Sequence, residues 1–338
     1  MSITARSFAK INLGLAIGPK RADGFHELRT VYQTVALNDV IRVSVTRGSG
    51  IEIRCADSRV PKDDSNTCHR ILDLALAALK ARGRVIVEIE KRLPVQGGLG
   101  GASGNAVAAL VALERALKKW LPDSEKLRIA TEVGSDVPLF LIGGTVLGVD
   151  CGQEVYPLPD LPVTPCAIAT PDIGVSTPKA FADWDCGAGA PARQAPLSAP
   201  ELTPKVASDR LLTFSRKLSA WLSSQANSGR ASSGVPGKRR GRAGTPLLDL
   251  VRTGIENDFE QVVFPQYPEL HEVKRVLALA GASYASLSGS GSAVYGLFGS
   301  PEKARRAAAK LVKMGIPATA TFSLPRRQYW RKFLVAGS

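Results

Sequence analysis

The amino-acid sequence predicts an α+β fold, and two observations carry that reading. Strand patterns gather ahead of helical stripes in the first half of the chain. The helices fall on one side of an antiparallel sheet, without the strand–helix–strand alternation that marks a parallel one. No internal repeat is visible.

Ile3 to Ile17 and Thr30 to Leu37 alternate as strands do, and Gly18-Pro19 and Asp23-Gly24 supply turn chemistry between them. Val40 to Thr46 and Ile51 to Cys55 continue the sheet. Thr67 to Arg82 carries apolar residues at 71, 72, 74, 75, 78 and 79, a helical stripe stopped by Gly83. Val85 to Glu90 alternates as a half-buried strand, and a glycine-rich run leads from it into a helix over Asn105 to Trp120. Cys166 to Thr170 reads as a strand. Pro178 opens a short helix through Phe181 and Trp184. Residues 186 to 204 read as a loop, Arg210 to Leu222 as a helix and 223 to 246 as a flexible basic insert. Helices over Ile255 to Val263 and Leu270 to Ala280 follow. Strands Tyr284 to Leu287 and Ala293 to Phe298, helix Pro301 to Met314 and strand Ala318 to Ser323 complete the pattern.

Composition narrows the class. With 338 residues, 44% hydrophobic and 22% charged, the chain is long enough for two packed domains and too apolar to be disordered. Apolar runs such as Ala106 to Leu113 fall far short of the roughly 20 residues a membrane span needs. Met1 to Ile11 has no basic stretch followed by an apolar core, so no secretory leader is expected. Cys55, Cys68, Cys151, Cys166 and Cys186 are odd in number and form no C-x-x-C pair, which argues against a disulfide framework and fits a cytoplasmic protein. His26, His69 and His271 lack metal-site spacing. The net charge of +14 is local: residues 205 to 244 and 301 to 338 carry +8 each, leaving about −2 for the rest.

The most informative segment is Pro94-Val95-Gln96-Gly97-Gly98-Leu99-Gly100-Gly101-Ala102-Ser103-Gly104. It leaves a strand and enters a helix, so its glycines bare successive backbone N–H groups at the positive end of a helix dipole, where a phosphate chain fits. A tight turn that binds nothing is the alternative, and five glycines would weaken such a turn. No Lys follows as a Walker A loop requires, and Ser103 stands where a dinucleotide fingerprint needs its third glycine.

The segment resembles the phosphate loop of the GHMP kinase superfamily. Lys91-Arg92-Leu93-Pro94 ahead of Gly98-Leu99-Gly100 is similar to the branch of that family whose acceptor is a diphosphocytidyl-methylerythritol. The resemblance implies a two-domain GHMP fold: a mixed sheet with helices over 1–162, and a ferredoxin-like antiparallel sheet with helices over 163–324. Residues 325–338 are left as a basic tail. It implies that residues 94 to 104 wrap the phosphates of ATP, with Asn66 and Lys91 near the adenine, and that Mg²⁺ is required. The family's usual Ser-Ser-Asn is Ser103-Gly104-Asn105 here, so Ser103 keeps a hydroxyl for phosphate or metal and Gly104 does not.

Asp136, in Gly134-Ser-Asp-Val-Pro-Leu-Phe140, is one acid inside an apolar run. It is either a helix N-cap ahead of Pro138 or a carboxylate held for chemistry. Lys10, in Ala9-Lys-Ile-Asn12-Leu13, reads by alternation as a strand lysine on the wet face. Both segments match the same kinase branch, and the resemblance implies Asp136 as the base for the acceptor hydroxyl and Lys10 beside it. Arg21-Ala-Asp-Gly-Phe25-His26 reads on its own as a hairpin turn. It too resembles that branch, with Phe25 where Tyr is usual, which implies Phe25 stacking on cytosine and His26 reading its polar edge. Phe181 then matches a second aromatic on the base, Thr177 a nearby polar contact, and Asn12 a group near the sugar alcohol. Gly289 and Gly291, in Ser288-Gly-Ser-Gly-Ser292, read on their own as a hairpin with tight turns, and the resemblance implies that they help close the phosphate site as a secondary phosphate loop.

The activity implied is ATP-dependent phosphorylation of the 2-hydroxyl of diphosphocytidyl-methylerythritol, in the non-mevalonate route to isoprenoid precursors. The implied partner is thus a small molecule bearing a cytidine diphosphate, with no membrane and no required nucleic acid. Other members of the superfamily, acting on mevalonate or homoserine, are the alternative. Nucleic-acid binding through Lys238 to Arg242 and Arg326 to Lys332 is a further one.

Overall fold

The computed structural model describes residues 2–186, 204–228, 249–251 and 253–335. Two sheets organise them. The first has six strands: β1 (Ser2–Lys20), β2 (His26–Thr46), β3 (Ile51–Cys55), β4 (Arg84–Glu90), β5 (Thr145–Val149) and β6 (Glu154–Pro157). β1 lies along one edge of β2, while β4 and β5 share the other edge, over Val40–Thr46 and Thr30–Gln33. The two strands expected over 30–37 and 40–46 are therefore one. Asn38 and Asp39 interrupt the apolar alternation but stay paired with Phe8 and Ser7, and a bulge beside them shifts the register without ending the strand.

Helices α1 (Thr67–Ala78), α2 (Gly101–Leu117), α3 (Asp123–Val133) and α4 (Val137–Ile142) cover this sheet. α1 stops earlier than expected: Leu79 closes it and Lys80 turns left-handed at φ 46°. β3 and β4 run parallel across α1, so one strand–helix–strand unit exists where none was expected. α3, β5 and β6 were not anticipated either. α3 is a short and mostly polar helix that buries Ile129, Ala130 and Val133.

The second sheet is antiparallel, in the order β10-β7-β9-β8, with β7 (Pro165–Ala169), β8 (Tyr284–Leu287), β9 (Val294–Leu297) and β10 (Ala318–Phe322). Fourth, first, third, second is the ferredoxin-like order. α5 (Thr177–Asp185), α6 (Pro204–Ser228), α7 (Glu260–Gln266), α8 (Pro268–Leu279) and α9 (Pro301–Lys313) accompany it. α6 runs six residues into the expected insert, and 229–246 lie outside the described residues, as do 187–203 of the expected loop. The helix expected at Ile255 starts only at Glu260, because Glu256 and Asp258 are engaged with Leu15 of β1 through backbone hydrogen bonds.

The expected basic tail is a helix, α10 (Arg326–Phe333), docked on the first sheet. Tyr329 and Phe333, four apart on one face, are 1% exposed and join the core with Phe8 and Phe140. Two of the segment's aromatics are thus interior, which leaves Trp330, 37% exposed, as its one ring open to stacking on a nucleic acid. A separate apolar cluster, with Ile11 and Leu13 of β1 against Ile168, Tyr295 and Trp221, binds the two sheets together. Tyr295 also donates to the Asn12 carbonyl across it at 2.8 Å.

Candidate active site

The glycine loop is anchored at its entry by Asp39. This carboxylate is fully buried and accepts Lys91 Nζ, Arg92 N and Leu93 N, each at 2.7 Å. Full burial of a charge is tolerable only with such complete pairing. Gly98 and Gly100 then adopt φ of 71° and 68°, which a side chain would strain. α2 begins at Gly101 with no side-chain cap, so its first amides open on a cavity of about 310 Å³. Asn66, Lys91 and residues 94 to 103 line that cavity. Asn66 also caps α1, accepting from Cys68 N at 2.8 Å. Gly104 does not line it. A Cβ there would lie 2.7 Å from Ser7 Oγ and 3.0 Å from the Phe8 carbonyl, so this glycine lets α2 close on β1.

A second cavity of about 640 Å³ lies on the other side of the loop, and Gly98 and Ser103 border both. It is lined by Lys10, Asn12, Phe25, His26, Asp136, Thr177, Phe181 and Gly289, eight of the nine remaining expected site residues, the ninth being Gly291. Gly291 instead packs on Leu287, while its carbonyl approaches Gly98.

Asp136 occupies the N-cap position of α4 yet makes no capping hydrogen bond. Its carboxylate turns into the cavity, with Oδ2 3.4 Å from Lys10 Nζ and Oδ1 accepting from the Tyr32 hydroxyl at 2.9 Å. Lys10 is 3% exposed, which overturns the wet-face reading. β1 is covered on both faces, so alternation does not sort its side chains. The buried ammonium donates to Asn12 Oδ1 at 2.7 Å and stands 5.7 Å from the Tyr32 ring centre. Burial, reinforced by the neighbouring carboxylate, pushes the Tyr32 phenol well above its ordinary range, so it stays a donor.

The residues expected to recognise the base sit at the mouth. His26 Nε2 lies 2.6 Å from Asp185 Oδ1, and its ring stacks on Phe181 at 4.9 Å and 7°. Phe25 is 61% exposed. The expected pair of rings flanking an open slot is therefore not formed in this state, since His26 covers one face of Phe181. Burial works against ionisation of Asp185, but hydrogen bonds from Lys20 and His26 prevail and hold its carboxyl below the usual range. Thr177 Oγ1 meets Ser290 Oγ at 2.7 Å, tying α5 to the second glycine turn. That turn is docked on the first: Ser288 Oγ donates to the Gly98 carbonyl and Ala293 N to that of Gly97.

Sequence reasoning missed Tyr32, Asp39, Asp185, Ser290 and Asn257. The last donates to the carbonyls of Leu287 and Gly289. Asp39 alone left a signal, an acid inside an apolar strand.

A Solibacter usitatus protein named 4-diphosphocytidyl-2-C-methyl-D-erythritol kinase is 36% identical over 327 residues, covering 96% of this chain and 90% of its own. The chain belongs to the 4-diphosphocytidyl-2-C-methyl-D-erythritol kinase family. A Moorella thermoacetica relative of the same name is 32% identical over 91% of this chain and 94% of its own. Models of the GHMP kinases N terminal domain and of the GHMP kinases C terminal region match residues 66–144 and 245–316. A crystal structure of a 4-(cytidine 5'-diphospho)-2C-methyl-D-erythritol kinase superposes with a TM-score of 0.68 at 28% identity, over 95% of this chain and 99% of that one. A homoserine kinase from Cytophaga hutchinsonii, at 22% identity and a TM-score of 0.66 over 97% and 96%, shares the fold.

Proposed function

We propose that this chain transfers the γ-phosphoryl group of ATP to the 2-hydroxyl of 4-diphosphocytidyl-2-C-methyl-D-erythritol. The observation that carries the reading is the common border of the two cavities. Gly98 and Ser103 face both the amide-lined space at the start of α2 and the space that holds Asp136 and Lys10. A triphosphate in the first would end beside a hydroxyl in the second. Phosphoryl transfer asks chiefly for such alignment and for charge neutralisation.

In this reading the α2 amides and loop residues 95 to 102 hold the phosphates, and Asn66 and Lys91 border the adenine. Asp136 takes the acceptor's proton, while the Lys10 ammonium 3.4 Å away offsets charge on the moving group. Phe25, His26 and Phe181 receive the cytosine, with Asn12 and Thr177 nearer the phosphates and sugar alcohol. Base entry requires His26 to leave the face of Phe181. Among the described residues no three His, Cys, Asp or Glu gather as a metal site. Mg²⁺ would thus arrive with the nucleotide, held mainly by phosphate oxygens with Ser103 Oγ at hand, and would neutralise phosphate charge. A cytoplasmic location belongs to the same reading; no helix among the described residues is long and apolar enough to cross a membrane.

The test is ATP consumption with diphosphocytidyl-methylerythritol set against mevalonate and homoserine. Turnover is expected with the first alone, and equal or better use of either other alcohol would refute the assignment. Asp136→Asn should lower kcat by about 10²–10⁴-fold, the usual scale for a lost general base, with nucleotide affinity kept.

A further inference from the structure

We propose that Tyr32 is a positioning residue for the transfer. Its hydroxyl holds Oδ1 of Asp136, so that Oδ2 is the oxygen that receives the acceptor's proton. The inference rests on the reading of Asp136 as the base and adds which oxygen acts and what fixes it.

The placement of Tyr32 is specific. On β2 it stands opposite Asn12 of β1 and Val146 of β5, in the middle of the sheet. Its ring is 3% exposed and lies in a slot made by two glycines. A Cβ on Gly148 would come within 2.6 Å of Tyr32 Cε2, and one on Gly152 within 2.7 Å of its hydroxyl. The slot directs the hydroxyl to Asp136 Oδ1 at 2.9 Å. Asp136 needs such a holder, because α4 leaves its carboxylate without the capping bond that would otherwise fix it.

The groups that face this carboxylate have different tasks. Lys10, from β1, approaches Oδ2 at 3.4 Å and supplies charge. Tyr32, from β2, is neutral and supplies direction; burial keeps its proton on at any working pH. Ser135 and Cys151 line the same cavity. With Oδ1 occupied, the acceptor's O–H proton passes to Oδ2. The alkoxide oxygen forms its bond to the γ-phosphorus, the bond from that phosphorus to the bridging oxygen breaks, and the electron pair leaves on ADP.

The experiment is Tyr32→Phe in the full chain, which deletes one oxygen and leaves the ring in its slot. Single-turnover rates are measured from about pH 5 to 9, beside KM for ATP and for diphosphocytidyl-methylerythritol. We expect the rate at neutral pH to fall about tenfold, the scale of one lost hydrogen bond to a charged group, with both KM values within about twofold. The acid limb of the rate profile should move to higher pH, because the carboxylate loses a donor to its ionised form. A packing role alone would not move that limb. An unchanged rate, or a reduced rate with the acid limb unmoved, overturns the inference. Asp136→Asn separates the two readings. If it retains full turnover, the base assignment itself fails. If it is inactive while Tyr32→Phe keeps the wild-type rate and profile, only the role of Tyr32 is refuted.

Discussion

Gly98→Ala tests whether the two glycine turns form a single phosphate site. The residue sits at φ 71°, where any L side chain costs about 1–2 kcal/mol of backbone strain. Strain is the smaller effect. A Cβ at this position would stand 2.2 Å from the Ser288 carbonyl oxygen and 2.8 Å from that of Gly291. Both obstacles are backbone, which no rotamer change removes. One turn must therefore retreat from the other by roughly 1 Å to restore ordinary contact. A shift of that size between reacting groups can cost about 10²-fold, or about 2.7 kcal/mol, in transition-state stabilisation. We expect kcat/KM for ATP to fall by about that factor.

Gly281→Ala separates strain from displacement. Its φ is 88°, but no atom lies within 4 Å of the added carbon. It should lower Tm by a few degrees and leave the kinetics alone. The assay is steady-state coupled ADP release at saturating acceptor, with thermal unfolding measured on both variants. Wild-type kcat/KM for ATP in Gly98→Ala would refute the claim that the two turns bear on one another at the phosphates.

Other consequences follow from single contacts. His26→Ala should raise KM for the cytidine-bearing acceptor by about tenfold or more and leave KM for ATP within about twofold, since the ring lies at the acceptor's mouth. Comparable effects on both substrates would count against base recognition. The Asp185 carboxyl is held below the usual range, so its pairing adds stability above the unfolded value of about 3.9 and loses it as pH falls through the folded value. Asp185→Asn is therefore expected to cost about 1 kcal/mol near pH 7, a charged hydrogen bond discounted for partial exposure, and the difference in Tm should begin to narrow at about pH 4 and close as pH falls through the folded value. Burial, with Asp39 nearby, pushes the Cys68 thiol up to about 12, and burial raises Cys166 further, while Cys186 is exposed. Iodoacetamide at about pH 8 should alkylate Cys186 in the native protein and reach Cys68 and Cys166 only on denaturation; labelling of Cys166 at the rate of Cys186 would contradict its burial.

The sequence disclosed what depends on neighbours along the chain and hid what depends on neighbours in space. The glycine loop was readable because its requirement is local: amides can be bared at a helix start only where side chains are missing. Gly104 belonged to the same string yet serves another purpose, and only the approach of Ser7 and Phe8 from β1 reveals it. Alternation alone misplaced Lys10 on a wet face, because a period of two identifies such a face only when one exists, and all of Phe8 to Ile17 is buried. In α10 the arginines and lysines concealed the Tyr329–Phe333 stripe, whose partner surface lies on elements almost two hundred residues earlier. Tyr32 and Asp185 carry no motif. Each becomes informative only once the fold sets it 2.9 Å from Asp136 or 2.6 Å from His26.

One residue links the glycine loop, proposed to hold phosphate, with the carboxylate proposed to remove the proton. The backbone N–H of Lys10 donates to the Leu99 carbonyl at 3.0 Å, in the middle of the glycine loop, while its ammonium reaches Asp136 and Asn12. The loop and the carboxylate are thereby referenced to the same point on β1. β1 is in turn fixed by β2 along one edge and by the Tyr295 hydroxyl on the Asn12 carbonyl from the second sheet. Register slippage of β1 by one residue would turn the Lys10 side chain to the opposite face and break all of these contacts together. The bulge between Phe8 and Ala9, immediately before Lys10, adjusts that register just where the pairing with Thr34 begins. In the proposed reading, the distance between donor phosphate and base is thus a property of strand pairing, so a glycine-rich loop can hold a reaction geometry that tolerates little movement.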